Sequence, residues 1–477
     1  MVFGYFLEMI QENPKQQWAD DVAFVISECD RFQKSLNDDP KNFIKNAQHV
    51  DTISFISTVG CGGIMCGAEG LKRLQLLSRI ALEQSDAQGT LDPQKVFQEF
   101  LKIFVQRFMV ERRSPDIKQT ERAFSSAIRF LKQTQKRLTY FIPCRVMYTE
   151  NPGQFNIGPI TFRTRKTFEE KIEPFYAAYL AEGVKSSGKE VTEILANKTK
   201  EYYADFTWVA EVTILNCDAA ISQERATLAV TAAIDFLHLL FGPYHTRRMA
   251  VGGPLLANDA RAWLTLDGNN RLEVNNSSSA TSPVGLSDGW DNAFNHPDLA
   301  AVCSAAAKTI QFFTDPSVQA MINIRIIDVI SWFGQAVREL SDAGRIIKSV
   351  AALERLVMTS EKEDITEILC ERAAAIWYAV YAGESFSDRV EKLKRAYNLR
   401  SKLAHGDLSP FAAEVKESAS DCLKLAEEII RAAIVFFEEH GAFETNLTKK
   451  DLAQMYKQLI NSSKNRERNN QDAEGPV

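Results

Sequence analysis

Ala396-Tyr397-Asn398-Leu399-Arg400-Ser401-Lys402-Leu403-Ala404-His405-Gly406 closes a helical pattern on a glycine, and its reading decides the last third of the chain. Working outward from it, the apolar spacing predicts a helix from Ser387 to His405, with Gly406 as its stop and His405 in its last turn. Between Arg389 and Lys402 stand six basic residues, Arg389, Lys392, Lys394, Arg395, Arg400 and Lys402, against one acid, Glu391. At about 100° per residue, Arg400 and His405 lie roughly 140° apart around such a helix, so a single copy does not set them side by side. Two copies packed about a two-fold axis would bring two arginines and two histidines into one cleft.

These residue types suit work on a phosphodiester. An arginine fork grips phosphate through paired hydrogen bonds, lysine adds an untargeted positive charge, and an imidazole takes and gives a proton near neutral pH. The bland alternative is a solvated helix face, which is what most charge runs are. His405 tips the reading toward chemistry, because it is the one histidine that falls inside a basic cluster on an expected helix.

The rest of the chain sets limits. Its 477 residues exceed one ordinary core of roughly 100–200, so two or three packed units are expected. Hydrophobic residues at 45% and charged residues at 25% are ordinary for a globular protein and exclude a mainly disordered or collagen-like chain. A net charge of −6 excludes a general nucleic-acid coat, so any RNA contact must be local. The eight cysteines are scattered through apolar runs and read as reduced, structural thiols. Met1 to Glu8 lacks the features of a secretory signal, and the most apolar run, Thr227 to Gly242, carries Asp235 and His238 and is too short and polar to span a bilayer. The expectation is a cytoplasmic protein without a membrane span.

The expected fold class is α+β multidomain. Residues 1–140 read as a mainly helical region of unassigned role, with helical periodicity over Val96 to Met109. A β-like run from Thr52 to Val59 leads into Gly60-Cys61-Gly62-Gly63-Ile64-Met65-Cys66-Gly67; no Gly-Lys-Ser/Thr follows, so a small-residue turn is favoured over a phosphate loop. A Cys61/Cys66 metal site is equally weak, having no second Cys/His pair nearby, and no metal is expected. Residues 141–290 read as a mixed α+β sensor or regulatory domain. Its strands are Phe141 to Tyr148, Ile160 to Thr164 and Phe206 to Ile214, its helix is Gln223 to Phe241, and a hairpin turns at Asp267-Gly268. Polar Asn275 to Pro283 is the expected boundary. His238, on the apolar helix, is expected to be a satisfied core group. Residues 300–445 read as an all-α bundle with helices over Val318–Leu340, Arg345–Met358, Asp364–Tyr381, Ser387–His405 and Ala412–His440. Residues 446–477 read as a polar tail, largely disordered from about 461.

With Ala351-Ala352-Leu353-Glu354-Arg355-Leu356 and Leu369-Cys370-Glu371-Arg372-Ala373-Ala374 placed upstream, the Arg400–Gly406 segment resembles the Apea-like HEPN domain of prokaryotic defence and toxin proteins. The likeness is strongest from Asn323 to Gly406 and includes Trp332-Phe333; the strand-like segments before it look like the region that commonly precedes this domain, and nothing in the first 140 residues is matched. Family members are helical bundles with an Arg-x4-6-His signature, and this chain has the four-residue spacing. Many active members carry Asn, Asp or His directly after the arginine, where this chain has Ser401.

The resemblance implies metal-independent, cofactor-free endoribonuclease activity in bacterial anti-phage defence. A ribose 2′-hydroxyl attacks the adjacent phosphorus, with His405 exchanging the proton and Arg400 stabilising the phosphorane-like transition state. Glu354, Arg372 and Ser401 would support that site, Glu354 and Arg372 more as an ion pair between helices than as chemistry. Lys402, Arg395, Lys394 and Lys392 would bind the RNA, single-stranded or tRNA. A homodimer or higher homo-oligomer would complete the site, and a phage-derived trigger acting through the upstream regions would release it. The rivals are a non-catalytic HEPN module binding RNA, a nucleotide or a protein partner, and a purely structural dimerisation domain.

Overall fold

The computed structural model describes residues 14–41, 43, 53–58, 62–147, 149–252, 258–266, 272–280, 286, 289–318, 321–359, 365–381 and 384–474. They are mostly helical, with small antiparallel sheets, and divide into two compact units: residues 1–138 with 215–224, and residues 139–214 with 225–477.

The first unit holds α1 (Pro14–Asp38), α2 (Ala68–Glu83), α3 (Pro93–Phe104) and α4 (Ile117–Lys132). Asp92 starts α3 by accepting from Gln94 N ahead of Pro93, and Asp116 starts α4 by accepting from Gln119 N. The expected helical run to Met109 is present, and beyond Phe104 its turn widens to a π-helix over Val105–Val110. Trp18, Val22, Leu74, Phe100, Phe104 and Phe124 form the core. The glycine-rich segment is not a turn throughout. Gly62–Gly67 forms β2, paired antiparallel to β1 (Ile53–Thr58), while Gly60 and Cys61 lie outside the described residues. Cys66 is buried.

The second unit begins with a five-stranded sheet in the order β4-β5-β6-β3-β7, from β3 (Lys136–Arg145), β4 (Gln154–Ile157), β5 (Ile160–Thr164), β6 (Trp208–Cys217) and β7 (Ala250–Val251). Phe155 of β4 stacks on Phe162 at 4.9 Å and meets Trp290 edge-on at 5.0 Å, so aromatic rings fill this layer. Between β5 and β6 lie α5 (Arg165–Ser187) and α6 (Lys189–Ala204), and after β6 the apolar α7 (Ala219–Phe241). A hairpin of β8 (Asn258–Leu266) and β9 (Leu272–Ala280) follows; the expected turn at Asp267-Gly268 lies outside the described residues. Asn275 to Ala280, expected as a polar boundary, is therefore strand: backbone pairing to β8 holds what side-chain composition disfavours.

The bundle comprises α8 (Pro297–Thr314), α9 (Met321–Arg338), α10 (Asp342–Val357), α11 (Ile365–Val380), α12 (Phe386–His405), α13 (Ala413–Glu439) and α14 (Lys449–Glu474). Five of these match the expected helices to within a few residues; α8 was outside the expected set. The expected disordered tail is also corrected, since residues 461–474 continue α14. Within that stretch Ser463 is buried and Lys464 pairs with Glu371 of α11 at 2.6 Å. Among the described residues no helix is long and apolar enough to cross a membrane.

Candidate functional site

Helix α12 is defined at both ends by its own sequence. Ser385 accepts from Asp388 N to start it, and Gly406 takes a left-handed φ of 82° to stop it, with the N–H groups of Asp407 and Leu408 returning to the Lys402 carbonyl. His405 is exposed in the last turn.

Arg400 faces the other way. Its Nη2 donates to Glu354 Oε2 of α10 at 3.0 Å, and the pair is about three-quarters buried. Burial pushes the Glu354 carboxyl above its ordinary range, and Arg400 opposes that rise without cancelling it. The guanidinium lies 5.8 Å from the Tyr397 ring, and its Nε is buried without a hydrogen-bond partner among the described residues. Within one chain, then, the structure brings Arg400 to Glu354 and leaves His405 on a different face.

The expected Glu354–Arg372 pair is not formed. Arg372 is buried on α11 and donates to the Val357 carbonyl at 2.9 Å and to Thr359 Oγ1 at 3.2 Å, with its guanidinium 5.4 Å from the Tyr456 ring. It serves the end of α10, together with two groups that sequence reasoning missed. Buried Arg325 of α9 donates from Nη1 to the carbonyls of Arg355, Leu356 and Met358, and Tyr456 Oη of α14 donates to the Leu356 carbonyl. A helix C-terminus leaves its last carbonyls without intrahelical partners, and three side chains from three other helices satisfy them here.

The basic island is less uniform than its sequence suggests. Arg389 is buried, stacks 3.7 Å over Trp377, and pairs with Glu384 and Glu428 at 2.6 and 2.7 Å. Lys392 shares Glu384, and Lys394 pairs with Glu391, which raises the lysine's pKa. Arg395 and Lys402 are exposed and form no ion pair among the described residues; Ser401 is half-buried. Of the expected RNA-binding residues, Arg395 and Lys402 are thus the two that keep an uncommitted charge.

A second cluster lies between α7 and α9. Asp235 and His238 are fully buried, and Arg338 Nη1 reaches Asp235 Oδ1 at 2.5 Å and His238 Nε2 at 2.9 Å. His238 is buried as expected but satisfied at Nε2 alone: its Nδ1 and Asp235 Oδ2 have no hydrogen-bond partner among the described residues. Burial pushes the Asp235 carboxyl up to about 7 despite Arg338, and burial with the arginine charge pushes the His238 imidazole well down. His238 thus accepts at Nε2 as a neutral ring.

Comparison with models of protein families, with curated proteins and with solved structures finds no match for this chain.

Proposed function

We propose that the protein is a metal-independent endoribonuclease that works as a homodimer through paired copies of α12, in the manner of HEPN domains. The observation that carries this reading is the end of α12, where Arg400 is fixed by Glu354 and His405 stands exposed in the last turn. Arginine in such a place stabilises charge as it builds on phosphorus, and holding it on Glu354 lowers the cost of ordering its long side chain. The histidine of one copy takes the 2′-hydroxyl proton as the P–O2′ bond forms, and that of the other protonates the departing 5′-oxygen. Products are a 2′,3′-cyclic phosphate and a 5′-hydroxyl. The setting that follows from the resemblance is bacterial anti-phage defence, with the regions before the bundle answering a phage-derived trigger.

A second reading is favoured by the Arg400–Glu354 pair itself, because an arginine already matched to a carboxylate suits a structural tie. In that case the bundle is a non-catalytic module binding RNA, a nucleotide or a protein partner. Fluorescent single-stranded RNA and total tRNA incubated with the protein in EDTA separate the two. Cleavage with cyclic-phosphate ends, lowered about 10²–10⁴-fold in Arg400→Ala/His405→Ala, is the expected result. Equal cleavage by the double variant sinks the assignment of these residues, and RNA retained uncut by the wild-type protein supports the binding module.

A further inference from the structure

We propose that the groove between α12 and α13 is a track for a single-stranded RNA backbone, and that Phe411 at its end stacks on a nucleobase beside His405. This rests on reading the end of α12 as the RNA site, and it names the form of RNA that site accepts.

Phe411 is 94% exposed, an unusual fate for a phenylalanine. Its ring is carried on a built turn. Phe411 N donates to Ser409 Oγ at 3.3 Å, Ala412 N donates to the Ser409 carbonyl at 3.1 Å, and Pro410 between them fixes its own φ. The turn directly follows the Gly406 stop, so the ring and the His405 imidazole belong to the same end of α12.

The groove supplies the charge that a nucleic-acid strand needs. It encloses about 500 Å³, and its charged lining is Arg389, Lys392, Arg395 and Lys424 against Asp421 and Glu428. Glu384 and Glu428 already hold Arg389 and Lys392, so Arg395 and Lys424, which form no ion pair among the described residues, are the cations left for phosphate. At about 100° per residue, Lys402 falls within about 20° of Arg395 around α12, and His405 about 60° beyond Lys402. Arg395, which lines the groove, Lys402 and His405 therefore lie on one exposed side of α12, and the chain passes from the end of that helix into the Phe411 turn. Cations along an edge with an aromatic ring at its end match the recognition of single strands, whose unstacked bases have a free face that a duplex hides.

The test uses the full chain and an uncleavable, fluorescein-labelled 2′-O-methyl oligouridylate, alone or annealed to oligoadenylate, followed by anisotropy across a salt series. Phe411→Ala is expected to weaken single-strand binding about tenfold, equivalent to about 1.4 kcal/mol, with an unchanged salt slope. Phe411→Trp restores it, and Arg395→Gln or Lys424→Gln each lowers the salt slope by about 0.7. Duplex binding is insensitive to position 411. Phe411→Ala binding as tightly as wild type overturns the stacking role and leaves the RNA reading standing; no binding by wild type overturns both. A lower sedimentation coefficient for Phe411→Ala, with the RNA loss tracking dissociation, would make the ring a contact between copies and overturn the proposal.

Discussion

Gly334 of α9 faces the Asp235 carboxylate so closely that a Cβ at position 334 would fall well inside the van der Waals envelope of Oδ1. The missing side chain is what lets α7 and α9 approach and lets Arg338 close on Asp235. Gly334→Ala is therefore expected to displace a buried charge from its partner, at a cost of about 3–5 kcal/mol in urea unfolding, although alanine is the better helix former. A variant as stable as wild type would mean that the two helices separate at little cost.

The same carboxylate sets a pH dependence. A carboxyl whose folded pKa is raised from 3.8 to about 7 takes up protons in the folded state more readily than in the unfolded state. Its contribution to stability is full at low pH and declines as pH rises through that window. The difference in unfolding free energy between wild type and Asp235→Asn should therefore move against wild type between about pH 4 and pH 7 and level off above. A difference that is flat across the window would show that Arg338 keeps the carboxyl ionised throughout.

Removing the donors at the end of α10 should have graded effects. Tyr456→Phe deletes one hydrogen bond to the Leu356 carbonyl and is expected to cost about 0.5–1.5 kcal/mol. Arg325→Met removes the partner of three carbonyls and should cost several times as much by the same measurement. Equal losses for the two variants would indicate that water replaces Arg325.

What could be read in the sequence was what short-range physics decides. The end of α12 was legible because Gly406 acts on its own neighbours, and α9 to α13 because each keeps an apolar stripe near period 3.6. Helices α5 and α6 went unread: they leave Phe175, Tyr179, Ile194 and Leu195 exposed, and Pro174 interrupts the pattern. The first arm of the hairpin and Leu272 to Val274 of β9 were legible, but the polar half of β9 was hidden because Asn275-Asn276-Ser277-Ser278-Ser279 owes its conformation to backbone pairing with β8. For the site, helical spacing already separated Arg400 from His405, but the choice of Arg400 over Arg372 as the partner of Glu354 is tertiary. Such a choice joins positions 46 residues apart, and no local pattern records it.

The last helix carries a consequence for anyone cutting the protein into pieces. Glu467 of α14 accepts from the backbone and hydroxyl of Ser387 at the start of α12, and Tyr456 holds the end of α10. A fragment trimmed at residue 445, where the sequence alone would end the bundle, loses both fastenings at once. The helices that carry Glu354, Arg400 and His405 would then be studied with their own ends undone, and silence from such a fragment would say more about the trimming than about the protein.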